Sequence, residues 1–125
     1  MARVKTDNFI INDDIITRYL YCVNGHTFNV IFTELGAIDE DGEEATGWGG
    51  LFEITPGTAQ DNHIITAIYN EIAADMYEPE ITGGNDFDTY ITEPPFELSF
   101  INEGSPDDTE AILDNIEKII DELTA

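Results

Sequence analysis

The sequence contains very little positive charge. Between Tyr19 and Glu117 there is no Lys or Arg in 99 residues, whereas 22 Asp and Glu fall in the same stretch. The four basic residues of the chain all lie outside it, at Arg3, Lys5, Arg18 and Lys118. Because nucleic acids and anionic membranes repel such a chain, both are excluded as direct partners. A basic protein surface or metal cations are favoured instead.

Cysteine and long apolar runs are also scarce. The single cysteine, Cys22, excludes an internal disulfide and a cysteine-rich metal site, and its place among apolar residues predicts a buried structural thiol. No apolar run approaches the roughly 20 residues that span a bilayer, and residues 1–14 lack the apolar centre of a signal peptide. We therefore expect one cytoplasmic domain, residues 1–125.

Apolar residues are plentiful despite the charge. Hydrophobic residues make up 42% of the chain and include seven Phe and five Tyr, which is enough to build a core. The chain is therefore predicted to fold, although its formal net charge is −23.

The clearest local signal is a β-hairpin. Two runs rich in β-branched and aromatic residues, 15–23 and 26–33, flank Asn24-Gly25. An Asn-Gly pair suits a type I′ turn, which needs positive φ at both central residues. A two-residue loop fixes the register, so the sequence predicts one strongly apolar face with Val23 opposite His26, Tyr21 opposite Phe28, Tyr19 opposite Val30 and Thr17 opposite Phe32.

Further strands are indicated at 9–11, 48–55, 87–92 and 96–102. In the second of these, Trp48, Phe52 and Ile54 are expected on one side, and Leu51 and Glu53 on the other.

Two amphipathic helices are predicted. The first covers about 59–77, with an apolar stripe at four-residue spacing, a capping box from Thr58 to Asp61, and Pro79 as its stop. The second covers about 106–123, with Ser105 as N-cap and Pro106 in the first helical position. Its apolar stripe comprises Ile112, Leu113, Ile116, Ile119, Ile120 and Leu123.

Taken together, these elements predict the α+β fold class. We expect an antiparallel sheet of about four to five strands with both helices packed on it.

Catalysis has little support in the sequence. Neither His26 nor His63 is linked by spacing to the other or to Cys22, and with 27 acids a close carboxylate pair is expected by chance. Asp39, Asp41 and Glu43 alternate as in a calcium loop, but glycine stands at the fourth place of that loop instead of the sixth. We therefore predict no enzyme activity, no cofactor and no dedicated metal site.

The net charge compares closely with that of duplex DNA. A compact chain of this length has a diameter of about 35 Å. Since duplex DNA carries one charge per about 1.7 Å of axis, 23 charges correspond to roughly 39 Å of duplex. In total charge the protein approximates a piece of double helix as long as itself.

The acids gather on predicted helix faces and loop tips. The first helix is expected to present one carboxylate row, Glu71, Asp75 and Glu78, because these residues are spaced four and three apart. The second presents Asp107, Glu110, Asp114, Glu117 and Asp121. The loop from Gly36 to Gly50 adds Asp39, Glu40, Asp41, Glu43 and Glu44. These three sets are the predicted partner-binding residues.

In size and charge the chain resembles the small acidic phage proteins that mimic DNA to inhibit restriction enzymes, CRISPR effectors or DNA-repair enzymes. The resemblance implies a non-enzymatic inhibitor, in the host cytoplasm, that occupies the basic nucleic-acid-binding surface of a host protein. A homodimer would lengthen the charged surface.

Two other interpretations remain open. An immunity or antitoxin-like protein would cap one basic toxin partner by charge complementarity and aromatic anchors, for which the candidates are Trp48, Tyr77, Phe87 and Tyr90. A halophile's proteins are acidic throughout, but 18 Ile against nine Ala is unlike the smaller side chains expected there.

Overall fold

The structure is a computed structural model that describes residues 3–12, 14–35, 49–83, 95–103 and 106–125. Within these ranges, six strands form one antiparallel sheet that is covered on one face by two helices, which confirms the α+β class with more strands than predicted. The strands are β1 (Arg3–Ile11), β2 (Asp14–Val23), β3 (His26–Glu34), β4 (Gly50–Pro56), β5 (Tyr77–Thr82) and β6 (Glu97–Asn102). The helices are α1 (Asn62–Glu71) and α2 (Thr109–Thr124).

The strand order is β1-β2-β3-β4-β6-β5. The first four strands follow the chain as a meander, and α1 then carries the chain to β5 at the far edge. The last strand, β6, returns between β4 and β5 and is antiparallel to both. As a result β1 and β5 are the two edges of the sheet.

The β2–β3 hairpin has the predicted register. Val23 pairs with His26, Tyr21 with Phe28, Tyr19 with Val30 and Thr17 with Phe32. Asn24 and Gly25 have φ of 53° and 84°, as the type I′ turn requires. The Asn-Gly turn and the alternation of apolar residues agree, and together they leave no other register that buries the same face.

The core lies between the sheet and the helices. Phe32, Phe52 and Phe100 meet across three neighbouring strands, with ring centroids 4.8 Å and 5.1 Å apart. Phe52 and Ile54 are buried, whereas Leu51 and Glu53 are half-buried on the opposite face, as predicted. Trp48, which was predicted on the same side as Phe52 and Ile54, lies outside the described residues. The helices contribute mainly isoleucine to the core: Ile64, Ile65, Ile68, Ile112, Leu113, Ile116, Ile119 and Ile120.

The first helix is shorter than predicted. It ends at Glu71, a short 3₁₀ turn follows at Ala73–Asp75, and Tyr77–Thr82 forms β5 instead of a helix end. Pro79 therefore does not stop a helix. It lies in an edge strand, where a missing N–H removes no ladder hydrogen bond. Pairing of this segment with β6 supplies the tertiary contacts that override its helical spacing.

The second helix departs from prediction at its ends. Pro106–Asp108 forms a 3₁₀ turn, and the α-helix begins at Thr109. Leu123 was predicted to belong to the buried stripe but is 47% exposed. The predicted N-cap Ser105 and the predicted strand at 87–92 lie outside the described residues. The first strand, expected at 9–11, extends over nine residues from Arg3.

Candidate functional site

The outer side of α2 carries the densest run of acids in the described chain. Its inward side packs on the sheet, so the helix is held rigidly and its carboxylates face away from the core. Glu110, Asp114, Glu117 and Asp121 follow one another three or four residues apart, as predicted, and form one row. Asp107, Asp108 and Glu122 flank this row and are exposed. These seven residues are called the α2 acidic face below.

Arg3 of β1 binds this row from the side of α2 that faces the sheet. Its Nη2 donates to Glu110 Oε2 and its Nη1 to Asp114 Oδ1, each at 2.7 Å, while Glu117 Oε1 stands 3.9 Å from Nη1. The Arg3 side chain is only 6% exposed, whereas the Glu110 and Asp114 side chains are 73% and 59% exposed. One buried cation therefore fixes the carboxylates of Glu110 and Asp114, whose outer surfaces remain open to solvent, while the Glu117 side chain is 26% exposed and its Oε1 makes no hydrogen bond.

The pKa of Arg3 is raised above its ordinary value. Burial disfavours its charge, but the hydrogen bond to Asp114 and the nearby carboxylates of Asp114 and Glu110 outweigh that cost. Arg3 thus stays charged wherever the protein is folded.

The end of α2 is held by the hairpin turn. Asn24 Nδ2 donates to Asp121 Oδ1 and to Thr124 Oγ1, both at 2.9 Å. Carboxylates oppose the helix dipole at a C-terminus. A neutral donor at this position stabilises Asp121 without cancelling its charge.

A single exposed base interrupts the acidic face. Lys118 lies on the outward side of α2 and, with Glu71, Asn115 and Glu122, lines a shallow groove between α1 and α2. Its charge offsets that of one neighbouring carboxylate in the part of the face nearest α1.

The predicted row on the first helix does not exist. Glu71 is the last residue of α1, Asp75 lies in the 3₁₀ turn, and Glu78 lies in β5 with φ of 48°, where the register with β6 shifts. All three are exposed, but they belong to three different elements because the helix ends at Glu71. The loop set Asp39, Glu40, Asp41, Glu43 and Glu44 lies outside the described residues.

Sequence reasoning missed a histidine–carboxylate pair. His26 Nδ1 lies 3.0 Å and 2.9 Å from the two carboxylate oxygens of Asp61, which is 6% exposed. Asp61 was predicted to complete a capping box with Thr58, but Thr58 makes no side-chain cap hydrogen bond. The pair fastens the hairpin to the start of α1. His26 and Asp61 are 35 positions apart in the sequence, so local patterns could not indicate this contact.

The opposite face of the sheet carries no described helix. Cys22 was predicted to be buried but is exposed, because it points to this face beside Thr27. On β4 and β6, Glu53 and Glu97 share a hydrogen bond between their carboxyl groups. Partial burial, the charge of Glu97 and this hydrogen bond raise the pKa of Glu53. Acids therefore occupy this face too, and the negative charge is not confined to α2.

The basic residues are concentrated at one edge of the sheet. Arg3, Lys5 and Arg18 lie on β1 and β2, and the Arg18 guanidinium stands 5.4 Å from the ring centroid of Phe9. The far edge, β5, carries Glu78 and Glu80 instead. Arg3 is buried against the acids of α2, and Asp7 and Asp14 lie on the same two strands, so only Lys5 and Arg18 place exposed positive charge at this edge.

The described ranges contain neither a cluster of metal ligands nor a membrane-spanning helix. No three His, Cys, Asp or Glu side chains there converge in a way that would hold a metal ion. No helix among the same residues is long and apolar enough to cross a membrane.

Comparison with models of known protein families, with curated proteins and with solved structures finds no significant match to the chain.

Proposed function

We propose that the protein is a non-enzymatic DNA mimic, whose α2 acidic face occupies the basic nucleic-acid-binding surface of a host defence or DNA-processing protein. The observation that carries the proposal is the charge spacing on α2. From Asp107 in the 3₁₀ turn to Glu122 near the end of α2, seven acids follow one another over about 23 Å, at 1.5 Å per residue in the α-helix and about 2 Å in the turn. Seven charges enclose six intervals, so their mean spacing along the axis is roughly 3.8 Å, which is close to the 3.4 Å between charges on each strand of duplex DNA.

The acids of α2 keep this spacing because the helix is held rigidly. The helix is fixed by a buried isoleucine-rich stripe, by Arg3 beneath its first half and by Asn24 at its end. Carboxylates on a fixed scaffold bind a basic surface without losing backbone entropy on association, whereas a flexible acidic tail would lose it. Long-range attraction between such a face and a basic groove also speeds capture.

The target class follows from the sign and shape of the charge. A protein that binds nucleic acid presents Lys and Arg along a groove matched to a phosphate strand, and a helix bearing acids at that pitch complements it. If the chain comes from a phage, a nuclease, restriction enzyme or CRISPR effector in the host cytoplasm meets this description.

Binding by the α2 acidic face is tested with a matched pair of variants. Asp114→Asn, Glu117→Gln and Asp121→Asn together remove three charges but keep oxygen acceptors for Arg3 and Asn24. The control removes three exposed acids elsewhere, through Asp7→Asn, Glu80→Gln and Glu103→Gln. Both chains lose the same net charge, so a difference between them reports position and not total charge.

The immobilised chain is used to capture proteins from a bacterial lysate, and short duplex DNA is used for elution. We expect a captured protein that DNA releases, whose affinity falls at least tenfold with the α2 variant and far less with the control. The α2 variant should also flatten the dependence of affinity on salt, since fewer ion contacts remain. Lys118→Gln should tighten binding because it removes the opposing charge. Equal effects of the two triple variants would contradict the proposal.

A second candidate, an immunity-like inhibitor of one basic toxin, is favoured by Tyr77. This tyrosine is 53% exposed at the start of β5 and lines a shallow cleft with Asp75, Met76 and Glu103. Exposed aromatic side chains beside acids are typical anchors of tight protein interfaces. For this function Tyr77→Ala should abolish binding, the α2 triple variant should mainly slow association, and duplex DNA should not compete.

A further inference from the structure

The face of the sheet opposite the helices, called the open face below, has an apolar floor near β5. Leu51 of β4 and Tyr77 of β5 both pair with Ile101 of β6, so the three side chains lie side by side on this face. Leu51 and Ile101 are half-buried, and Tyr77 is 53% exposed. Leu35 extends the floor, because a Cβ atom on Gly49 would stand 3.1 Å from Leu35 Cδ1 and 3.9 Å from Ile101 Cγ2. The floor therefore reaches from the end of β3 to the β5 edge.

A β-bulge turns two glutamates toward the same floor. The register of β5 against β6 shifts between Tyr77 and Glu80, and Glu78 within the bulge has a φ of 48°, in the left-handed region. Such a backbone is uncommon outside glycine, and bulges often change the direction in which side chains point. As a result Glu78 and Glu80 line a shallow cleft of about 460 Å³ together with Leu51 and Ile101.

A second shallow cleft adjoins the first at Ile101. Its volume is about 370 Å³, and its lining includes Asp75, Tyr77 and Glu103. Four carboxylates thus surround the two clefts, and no basic side chain in the described part of the chain lines either of them. The two clefts and the apolar floor between them are called the open-face cleft below.

The shape of the open-face cleft favours a segment of another protein as its occupant. Pockets for small molecules enclose most of the ligand surface, whereas both of these clefts are shallow. An apolar centre with a charged rim and an exposed tyrosine is instead typical of a protein interface. A second copy of the chain is disfavoured, because its formal net charge of −23 would be brought against the acidic rim.

The charge of the cleft indicates the chemistry of that segment. Lys or Arg side chains complement the four carboxylates of the rim, and either cation also packs favourably on the ring face of Tyr77. Apolar side chains of the same segment would remove Leu51 and Ile101 from water. An amphipathic helix with one basic side and one apolar side supplies both kinds of contact.

We propose that the open-face cleft binds a basic amphipathic segment of a partner protein. Apolar side chains of that segment cover Leu51 and Ile101, and its Lys or Arg side chains lie between Tyr77 and the carboxylates of the rim. The site does not rest on the function proposed for α2, because the two surfaces lie on opposite faces of the sheet.

Two synthetic peptides test the proposal on the full chain. One is an amphipathic helix of leucine and lysine, and the other has glutamine in place of each leucine, so that it carries the same charge. Titrations followed by amide chemical shifts locate each peptide and measure its affinity. We expect the leucine–lysine peptide to shift the amides of Leu51, Tyr77 and Ile101 and to bind at least fivefold more tightly than the glutamine–lysine peptide.

A matched pair of variants separates the cleft from the rest of the open face. Tyr77→Ser with Asp75→Asn removes an aromatic side chain and a charge from the cleft. The control, Leu20→Ser with Asp7→Asn, removes an apolar side chain and a charge from the same face near β1. All four side chains are exposed, so both variants should keep the fold. We expect the first variant to lose the preference for the leucine–lysine peptide and the control to keep it.

Three results would overturn the proposal: equal affinity for the two peptides, shifts confined to α2, or equal losses in the two variants. Shifts at the cleft that follow protein concentration without any peptide would also overturn it, since a second copy would then be the occupant. The α2 variant Asp114→Asn, Glu117→Gln and Asp121→Asn should still prefer the leucine–lysine peptide. Failure of the function proposed for α2 would therefore be distinguished from failure of this site.

Discussion

At the scale of single residues, the strongest charge interaction joins Arg3 to α2. Arg3→Met keeps the apolar length of the side chain but frees Glu110, Asp114 and Glu117 to repel one another. We expect the free energy of unfolding to fall by about 1–2 kcal/mol, between the values typical of exposed and buried ion pairs. The loss should shrink at high salt, where the repulsion is screened.

Urea denaturation at low and high salt measures this effect, and Lys5→Met is the control. Lys5 lies on the same strand and is exposed. If both variants lost equal stability, Arg3 would contribute only through the net charge of the chain and not through its position under the row.

The contribution of Glu53 to stability is expected to change with pH in the opposite direction to that of a typical carboxylate. Its pKa is raised in the folded state by partial burial and by Glu97, so the folded protein binds this proton more tightly than the unfolded chain. Stability from this group is therefore complete below the unfolded pKa, about 4.3, and is lost as pH rises through the folded pKa.

Glu53→Gln should accordingly stabilise the protein at neutral pH by about 0.5 kcal/mol, a small value because the pair is partly solvated. The gain should vanish near pH 4, where the wild-type carboxyl is itself protonated. Thermal unfolding of both chains between pH 4 and pH 8 measures the difference, with Glu71→Gln as a variant of equal charge change. A gain that does not vary with pH would contradict the raised pKa of Glu53.

At the scale of elements, the hairpin turn and α2 stabilise each other through Asn24. Asn24→Gly keeps the positive φ but removes both hydrogen bonds to the helix end, and we expect a cost of about 1 kcal/mol. Asn24→Asp also tolerates positive φ but places a carboxylate against Asp121, so its cost should be larger. Salt should rescue the Asp variant and not the Gly variant. Equal loss in both, at every salt concentration, would show that the contact with Asp121 is not electrostatic.

The sequence predicted those elements whose local signals agree. The β2–β3 register followed from Asn24-Gly25 together with alternating apolar residues, and the buried stripe of α2 followed from its 3.6-residue period. The α1–β5 segment failed because Glu71, Asp75 and Glu78 are spaced as on a helix, while pairing with β6 decides the outcome. Local spacing cannot report a competing long-range partner.

The site was predicted in part for the same reason. The acids of α2 could be placed on its outer side from their spacing alone. Arg3 could not be assigned to them, because 107 and 111 residues separate it from Glu110 and Asp114. The sequence does offer one indication of this contact. In a chain with so few cations and so many acids, a buried arginine is expected to pair with carboxylates.

At the scale of the whole molecule, the charge is unevenly arranged. Acids cover α2 and extend over the open sheet face and the β5 edge, whereas the bases are gathered at the β1–β2 edge. An even distribution would suit general solubility or adaptation to brine. The run of acids on α2 instead leaves that surface able to attract a basic partner.

The dependence of stability on salt separates this arrangement from halophilic adaptation. We expect the chain to be fully folded in low salt, because the described residues alone bury 19 apolar side chains, and this burial opposes the repulsion. Its melting temperature should rise as sodium chloride is added and level off near 1 M, where the screening length has fallen to about 3 Å. Thermal melts followed by circular dichroism measure this, with potassium chloride as a check on ion identity. A halophilic protein would instead be unfolded in low salt and require molar salt to fold. That result would mean that the acids of α2 maintain hydration in brine, and the spacing that matches a phosphate strand would lose its functional meaning.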